Sequence, residues 1–172
     1  VDHLVDQGHN STGNNNRRPT KLLEYYDRYV YEYGKPFSIS EFSCWSDDDK
    51  YQADLTRDDL IACFSHPGCQ AFSFFWISDV YSEGGYQRLA GCVPLYDRGF
   101  NPRPGLYQYQ DLVYNKWWTR DEKTVTDADG RGQIRGFYGD YDISVSIDGK
   151  EVKTTMAAFH KGYENELTIT LD

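Results

Sequence analysis

Cys69-Gln70-Ala71-Phe72-Ser73-Phe74-Phe75-Trp76-Ile77 is a nearly unbroken apolar and aromatic run, entered through the turn signal His66-Pro67-Gly68. Continuous apolarity over a short run, in place of strict alternation, predicts a strand buried on both faces, as in a parallel sheet. Upstream, Phe37-Ser38-Ile39-Ser40-Glu41-Phe42 reads as a second short strand ending in a carboxylate. Val1 to Gln7 reads as a third, ending at His9. Helical patterns separate them. Leu22, Leu23, Tyr26, Tyr29, Val30 and Tyr33 share one face of a helix predicted over Thr20 to Tyr33 and stopped by Gly34. A second helix is predicted over Thr56 to Ser65, after an acidic loop at Asp47 to Asp49. Residues 81–103, rich in Gly and Pro, read as loop, and Pro104 opens a third helix running to Lys116. Strand, loop and helix recur three times, the order of an α/β fold with a parallel sheet.

The pattern changes at Trp117. Asp127-Ala128-Asp129-Gly130 and Asp148-Gly149 are hairpin turn signals. Tyr141, Ile143, Val145 and Ile147 alternate along one strand face, as do Leu167, Ile169 and Leu171. The expected organisation is an α/β part over 1–116 and a small antiparallel, β-sandwich-like module over 117–172.

Composition narrows the function classes. Aromatic residues make up 16% of the 172, fifteen of them tyrosines, which excludes a disordered tail. No run approaches the ~18 apolar residues of a membrane span, so no membrane partner is expected. The formal charge of −9 argues against a nucleic-acid partner, which needs a basic face. Together with a mean hydropathy of −0.73 it suits a protein that meets neutral ligands. The chain starts Val-Asp-His-Leu with no initiator Met, basic n-region or apolar h-region, which predicts a processed or partial product. Cys44, Cys63, Cys69 and Cys92 have no metal-ligand spacing, so neither a metal nor any other cofactor is expected. The even count of cysteines and the sequon Asn10-Ser11-Thr12 point to a secreted, oxidising history, with Asn10 as a glycan acceptor; buried thiols are the alternative.

Glu41 sits at the C-terminal end of a predicted parallel strand, the edge at which α/β barrels and open sheets place reacting groups. His9 ends the preceding strand, and Trp76 and Asp79 end the following one. A carboxylate, an imidazole and an indole on one rim suit a sugar site. The carboxylate would attack or stabilise an anomeric centre, the imidazole orient it, and the indole stack on a pyranose face. Each residue also has an ordinary reading: a solvated or ion-paired Glu, a hydrogen-bonded His and a core Trp.

Several ordered motifs carry a resemblance across essentially the whole chain. Lys35-Pro36-Phe37-Ser38-Ile39-Ser40-Glu41-Phe42, Gln7-Gly8-His9, His66-Pro67 followed by the strand to Trp76, and Tyr96-Asp97-Arg98-Gly99-Phe100-Asn101-Pro102-Arg103-Pro104 resemble glycoside hydrolase family 10, the endo-β-1,4-xylanases. The tail from Trp117-Trp118-Thr119 to Arg135-Gly136-Phe137-Tyr138-Gly139-Asp140-Tyr141 is similar to the C-terminal β module of plant and invertebrate relatives. The resemblance implies strands six to eight of a TIM (β/α)8 barrel followed by that module. It implies Glu41 in the nucleophile position of a retaining glycosidase, His9 bonded to it, and Gln7 and Trp76 lining the subsite of the reacting sugar. It also implies a Cys63–Cys69 disulfide, and a Cys44–Cys92 bond between two rim loops. The partner would be a β-1,4-linked polysaccharide, and a homo-oligomer stays open.

Departures are equally specific. The family's acid/base glutamate follows an Asn, but no Asn-Glu pair precedes Glu41; the one pair, Asn165-Glu166, lies in the β module. Ser43 stands where the resemblance implies an acidic support for the histidine, Ile77 where it implies Gly, and no second Trp follows in 81–86. Two functions are therefore expected to compete: part of a secreted xylanase whose acid/base lies outside this chain, or a degenerate xylanase-like protein acting as a glycan-binding or structural subunit. A free-standing carbohydrate-binding β module would leave residues 1–116 unexplained. A (β/α)8 barrel takes about 250 residues, so the missing N-terminal barrel portion is itself an expected partner. Without it, an inner face carrying Phe and Trp side chains is expected to stand open to water.

Overall fold

A computed structural model describes residues 1–11, 18–46, 48–78, 92–93, 95–97 and 99–171, with only the backbone described at Asn10, Ser11, Cys92 and Val93. The chain divides into two compact units, Val1–Lys116 and Trp117–Asp172. In the first, the order is β1 (Leu4–Asp6), β2 (His9–Ser11), α1 (Pro19–Tyr31), β3 (Phe37–Trp45), α2 (Asp49–Ser65), β4 (Cys69–Phe74), β5 (Cys92–Val93) and α3 (Pro104–Gln110), which runs on as a π-helical turn, Asp111–Lys116.

β3 is the centre of the sheet. β1 and β2 lie parallel to it on one side, as two segments of one strand interrupted at Gln7-Gly8, and β4 lies parallel on the other. β5 pairs antiparallel with the last two residues of β3, with Cys44 opposite Val93 and Trp45 opposite Cys92. The expected parallel α/β arrangement is therefore present.

The core lies between the sheet and the helices. Leu22 and Tyr26, one turn apart on α1, meet Phe37, Ile39, Phe42 and Cys44 of β3 and Leu55, Ala62 and Cys63 of α2. Tyr26 stacks on the fully buried Phe37 with ring centroids 4.6 Å apart. His66 packs against both rings. Its Nδ1 accepts from the Gly68 amide at 3.1 Å, which leaves its proton on Nε2, 3.3 Å from Asp27 Oδ1. The His66-Pro67-Gly68 turn is thereby fastened to α1.

α2 begins seven residues before the expected Thr56. Asp48, expected in a loop, is its N-cap and accepts from the Lys50 and Tyr51 amides at 2.8 and 3.1 Å. The helix buries Gln52, Thr56 and Asp59 alongside Leu55, Leu60 and Ala62, so its buried face is not an apolar one. That mixture hides it from a periodicity argument.

β4 overturns the expectation of burial on both faces. Its outward Phe72 and Phe74 pack on the core, but Ala71 and Ser73 are exposed on the opposite face, as is Phe75 just beyond. The inner face of the sheet is accordingly aromatic only toward its C-terminal rim, where Phe75 is exposed, and small or polar elsewhere. His3, Ser38, Ser40, Ala71 and Ser73 occupy it, and His3 Nε2 lies 2.8 Å from Ser38 Oγ. The pleat sends the large rings of β4 outward, and small polar groups need no apolar cover.

The second unit holds the hairpin β6 (Gly139–Ile147) and β7 (Lys150–Phe159), turned through Asp148 and Gly149, both at positive φ. The Asp127 to Arg131 turn forms, closed by the Asp127 carboxylate accepting from the Asp129 and Arg131 amides. Leu167, Ile169 and Leu171 lie outside any strand; among the described residues the unit is a two-stranded sheet, smaller than the module expected. Among the described residues no helix is long and apolar enough to cross a membrane.

Candidate functional site at the sheet's C-terminal rim

Core contacts of β3 fall on odd positions, Phe37 and Ile39, and then on even ones, Phe42 and Cys44. The parity changes because Ser40 and Glu41 together oppose the single Ser73 of β4, a β-bulge flanked by the pairs Ile39–Phe72 and Phe42–Phe74. An unbulged strand would turn Glu41 toward the helices. The bulge instead puts it on the inner face with Ser43 and Trp45.

β1 and β2 keep their parity, so Gln7 and His9 share that face. The Gln7 carbonyl accepts from the Glu41 amide at 2.9 Å. Gly8, at φ +77, is buried against Ile39, and its amide donates to Asp6 Oδ1 at 2.8 Å. The other oxygen of Asp6 lies 3.3 Å from the Tyr29 hydroxyl of α1. The turn preceding His9 is thus held from below by a carboxylate and from the side by backbone pairing.

Glu41 and His9 meet at the rim: His9 Nε2 lies 3.3 Å from Glu41 Oε2, with both side chains about one-third exposed. His9 Nδ1 lies 2.7 Å from Ser43 Oγ, and Trp45 Nε1 donates to that same oxygen at 3.0 Å. Ser43 thus offers the imidazole a hydroxyl in the place where the resemblance implies a carboxylate. Aromatic rings surround the imidazole. Phe75 and Trp45 meet it edge-on at 5.1 and 6.4 Å, and Trp76 stacks on Phe75 at 5.0 Å. Trp76 thus reaches the site through Phe75, while Gln7 is exposed on the rim.

Sequence reasoning missed Trp45. It was discoverable as the residue four places after Glu41, but only the bulge sets its face. Asp79 and the segment 81–86 lie outside the described residues, as does the side chain of Asn10, whose backbone pairs with Cys44 in the sheet.

Cys63 is buried with its S–H donating to the Tyr26 hydroxyl at 3.5 Å, and the half-buried Cys69 donates to the Ala71 carbonyl at 3.6 Å. The pairing with Cys69, together with burial, pushes the Cys63 thiol up, and the same pairing holds Cys69 below the ordinary thiol range. Cys44 is buried, and the side chain of Cys92 is not among those described. Among the described residues no group of His, Cys, Asp or Glu is arranged to hold a metal ion.

No family model matches the sequence, and no curated protein does. Solved structures do match. Xylanase 10B from Thermotoga petrophila RKU-1, in complex with xylobiose, superposes with a TM-score of 0.55 at 22% identity, over 67% of this chain and 37% of its own. A glycosylated endo-β-1,4-xylanase of glycoside hydrolase family 10 from Gloeophyllum trabeum gives 0.51 at 23% identity, over 63% of this chain and 35% of its own. Endo-1,4-β-xylanase XylE from Penicillium canescens gives 0.55 at 16% identity, over 66% and 36%. The chain spans little more than a third of the length of these xylanases, and at such identities the likeness is one of fold: it resembles about a third of a family 10 catalytic barrel.

Proposed function

We propose that this chain is the C-terminal part of a secreted endo-β-1,4-xylanase-type glycosidase, with Glu41 as the nucleophile of a retaining mechanism. The observation that carries the reading is the bulge that turns Glu41 onto the inner face of a xylanase-like sheet, beside an imidazole. The Glu41 carboxylate would attack the anomeric carbon as the glycosidic oxygen leaves, forming a covalent glycosyl-enzyme that water then hydrolyses. The leaving oxygen needs a proton from a second carboxyl group about 5–5.5 Å from the first. That group would come from barrel strands outside this chain. Trp76, Trp45 and Gln7 would line the place of the reacting sugar, with the indoles stacking on apolar pyranose faces. The disulfides Cys63–Cys69 and Cys44–Cys92 and a glycan at Asn10 belong to the same proposal.

Xylan hydrolysis by the protein carrying the complete barrel, with Glu41→Gln beside it, tests the assignment. Abolition of robust hydrolysis by the substitution is the expected result; hydrolysis insensitive to it removes Glu41 from the chemistry. A second reading, a non-catalytic xylanase-like subunit that binds glycan, is favoured by Ser43, which leaves the imidazole without a carboxylate behind it. Xylo-oligosaccharide binding with no turnover in the complete protein would select it.

A further inference from the structure

We propose that Ser43, oriented by Trp45, is a positioning residue that fixes His9 as the tautomer with its proton on Nε2, so that a neutral N–H faces Glu41. The inference deepens the reading of Glu41 above and rests on it for its purpose, although the hydrogen-bond logic stands by itself. Ser43 is buried, with only 5% of its surface exposed. Its hydroxyl has one hydrogen to donate and two lone pairs. Trp45 Nε1–H occupies one lone pair and cannot accept in return. Among the described residues, the remaining hydrogen-bond neighbour of Ser43 Oγ is His9 Nδ1, at 2.7 Å. Were Nδ1 to carry the proton, two donors would converge on Oγ and the buried hydroxyl hydrogen would have no acceptor, an arrangement that costs more than an average hydrogen bond gains.

The other side of the ring gives the same answer independently. Nε2 faces Glu41 Oε2 at 3.3 Å, and a carboxylate only accepts, so the proton belongs on Nε2. Donation therefore runs in one direction: Trp45 N–H to Ser43, Ser43 O–H to His9 Nδ1, and His9 Nε2–H toward Glu41. Every group in this chain except Glu41 is uncharged. A carboxylate behind the imidazole would require a proton on Nδ1 and favour the imidazolium. A hydroxyl does the opposite, leaving the imidazole neutral with its N–H toward Glu41.

Two-dimensional proton–nitrogen NMR of the imidazole rings, recorded above the ordinary imidazole titration range, reads the tautomer directly. His9→Asn identifies the His9 signals by their loss. The expected spectrum has Nε2 protonated and Nδ1 bare. Ser43→Ala should move the tautomer ratio toward Nδ1–H by roughly tenfold, the loss of one hydrogen bond. Ser43→Thr, which keeps the hydroxyl, should restore the original pattern, and Trp45→Phe should fall between. A proton on Nδ1 in the unaltered protein, or a tautomer unmoved by Ser43→Ala, overturns the proposal. So does a tautomer that follows Glu41→Gln and ignores Ser43→Ala. None of these readouts needs turnover, so the tautomer and the glycosidase assignment can fail separately.

Discussion

Replacing Gly8 by Ala tests how the rim is held in place. Gly8 is buried at φ +77, where an L side chain costs about 1–2 kcal/mol. Its new Cβ would stand 2.6 Å from Ile39 Cγ2, itself 1% exposed and part of the core. Overpacking of that kind costs roughly 1–3 kcal/mol, while the stiffer unfolded chain offsets about 0.4–1 kcal/mol. The sum centres on about 3 kcal/mol. With a urea dependence of about 2 kcal/mol per M, the unfolding midpoint should fall by roughly 1.5 M. Tryptophan fluorescence across a urea series measures it. Gly34 is the control: it has φ +63 with nothing within 4 Å of its would-be Cβ, so Gly34→Ala should carry only the backbone part. Because the Gly8 carbonyl accepts from the Ser43 amide, the Gly8 variant should also perturb the His9 ring signals, which the Gly34 variant leaves alone. Equal midpoints for the two variants would refute the claim that contact with Ile39 holds this turn.

Other perturbations follow from single contacts. Asp48→Ala removes the N-cap of α2 and should cost about 1 kcal/mol, read as a lower thermal midpoint; an unchanged midpoint would mean the helix starts without it. In the reduced protein, limited alkylation followed by peptide mass spectrometry should label Cys69 well before Cys63, because Cys69 is the more exposed and its thiol is held below the ordinary range while burial and Cys69 hold Cys63 above it; equal labelling would contradict that arrangement. Asp97 accepts from the Asn101 side chain and from the Asn101 and Gly99 amides, bonds that hold its carboxyl below the usual range. A depressed carboxyl stabilises its loop fully above the ordinary carboxylate range, about 3.9, and loses that contribution as pH falls through the depressed value. The Gly99 and Asn101 amide signals should therefore hold still on acidification until below the ordinary range; movement already near neutrality would refute the assignment.

The sequence carries the parallel strands and the approach of His9 to Glu41 because both follow from period and order along the chain. It does not carry the side of the sheet on which Glu41 lies, since FSISEF alternates equally well with Glu41 facing either way until the register with β4 is known. The role of Ser43 was hidden for a related reason. A serine has no charge to announce a partner, and its bond to His9 joins residues 34 apart in sequence. The length of α2 was obscured by Gln52, Thr56 and Asp59 within its buried face. The apolar run to Ile77 gave the right element and the wrong environment, because hydrophobicity shows that rings want cover and not which neighbour provides it. In the second unit, the turn Asp148-Gly149 was legible from local chemistry, whereas Leu167, Ile169 and Leu171 alternate without a strand to pair with among the described residues.

The extra residue at Ser40-Glu41 also changes what kinds of genetic change this site tolerates. Removing one residue between Ile39 and Phe42 would restore regular pleating and shift one half of β3 by a position. A correct carboxylate would then be sent into the helix layer, or the core residues Phe42 and Cys44 into the barrel. A substitution subtracts one group from the rim, whereas a length change exchanges inside for outside along the rest of the strand. Descendants of such a sequence can drift at Ser43 or Ile77 and still keep the frame in which a reacting group could be rebuilt. They cannot lose or gain a single codon there without losing that frame.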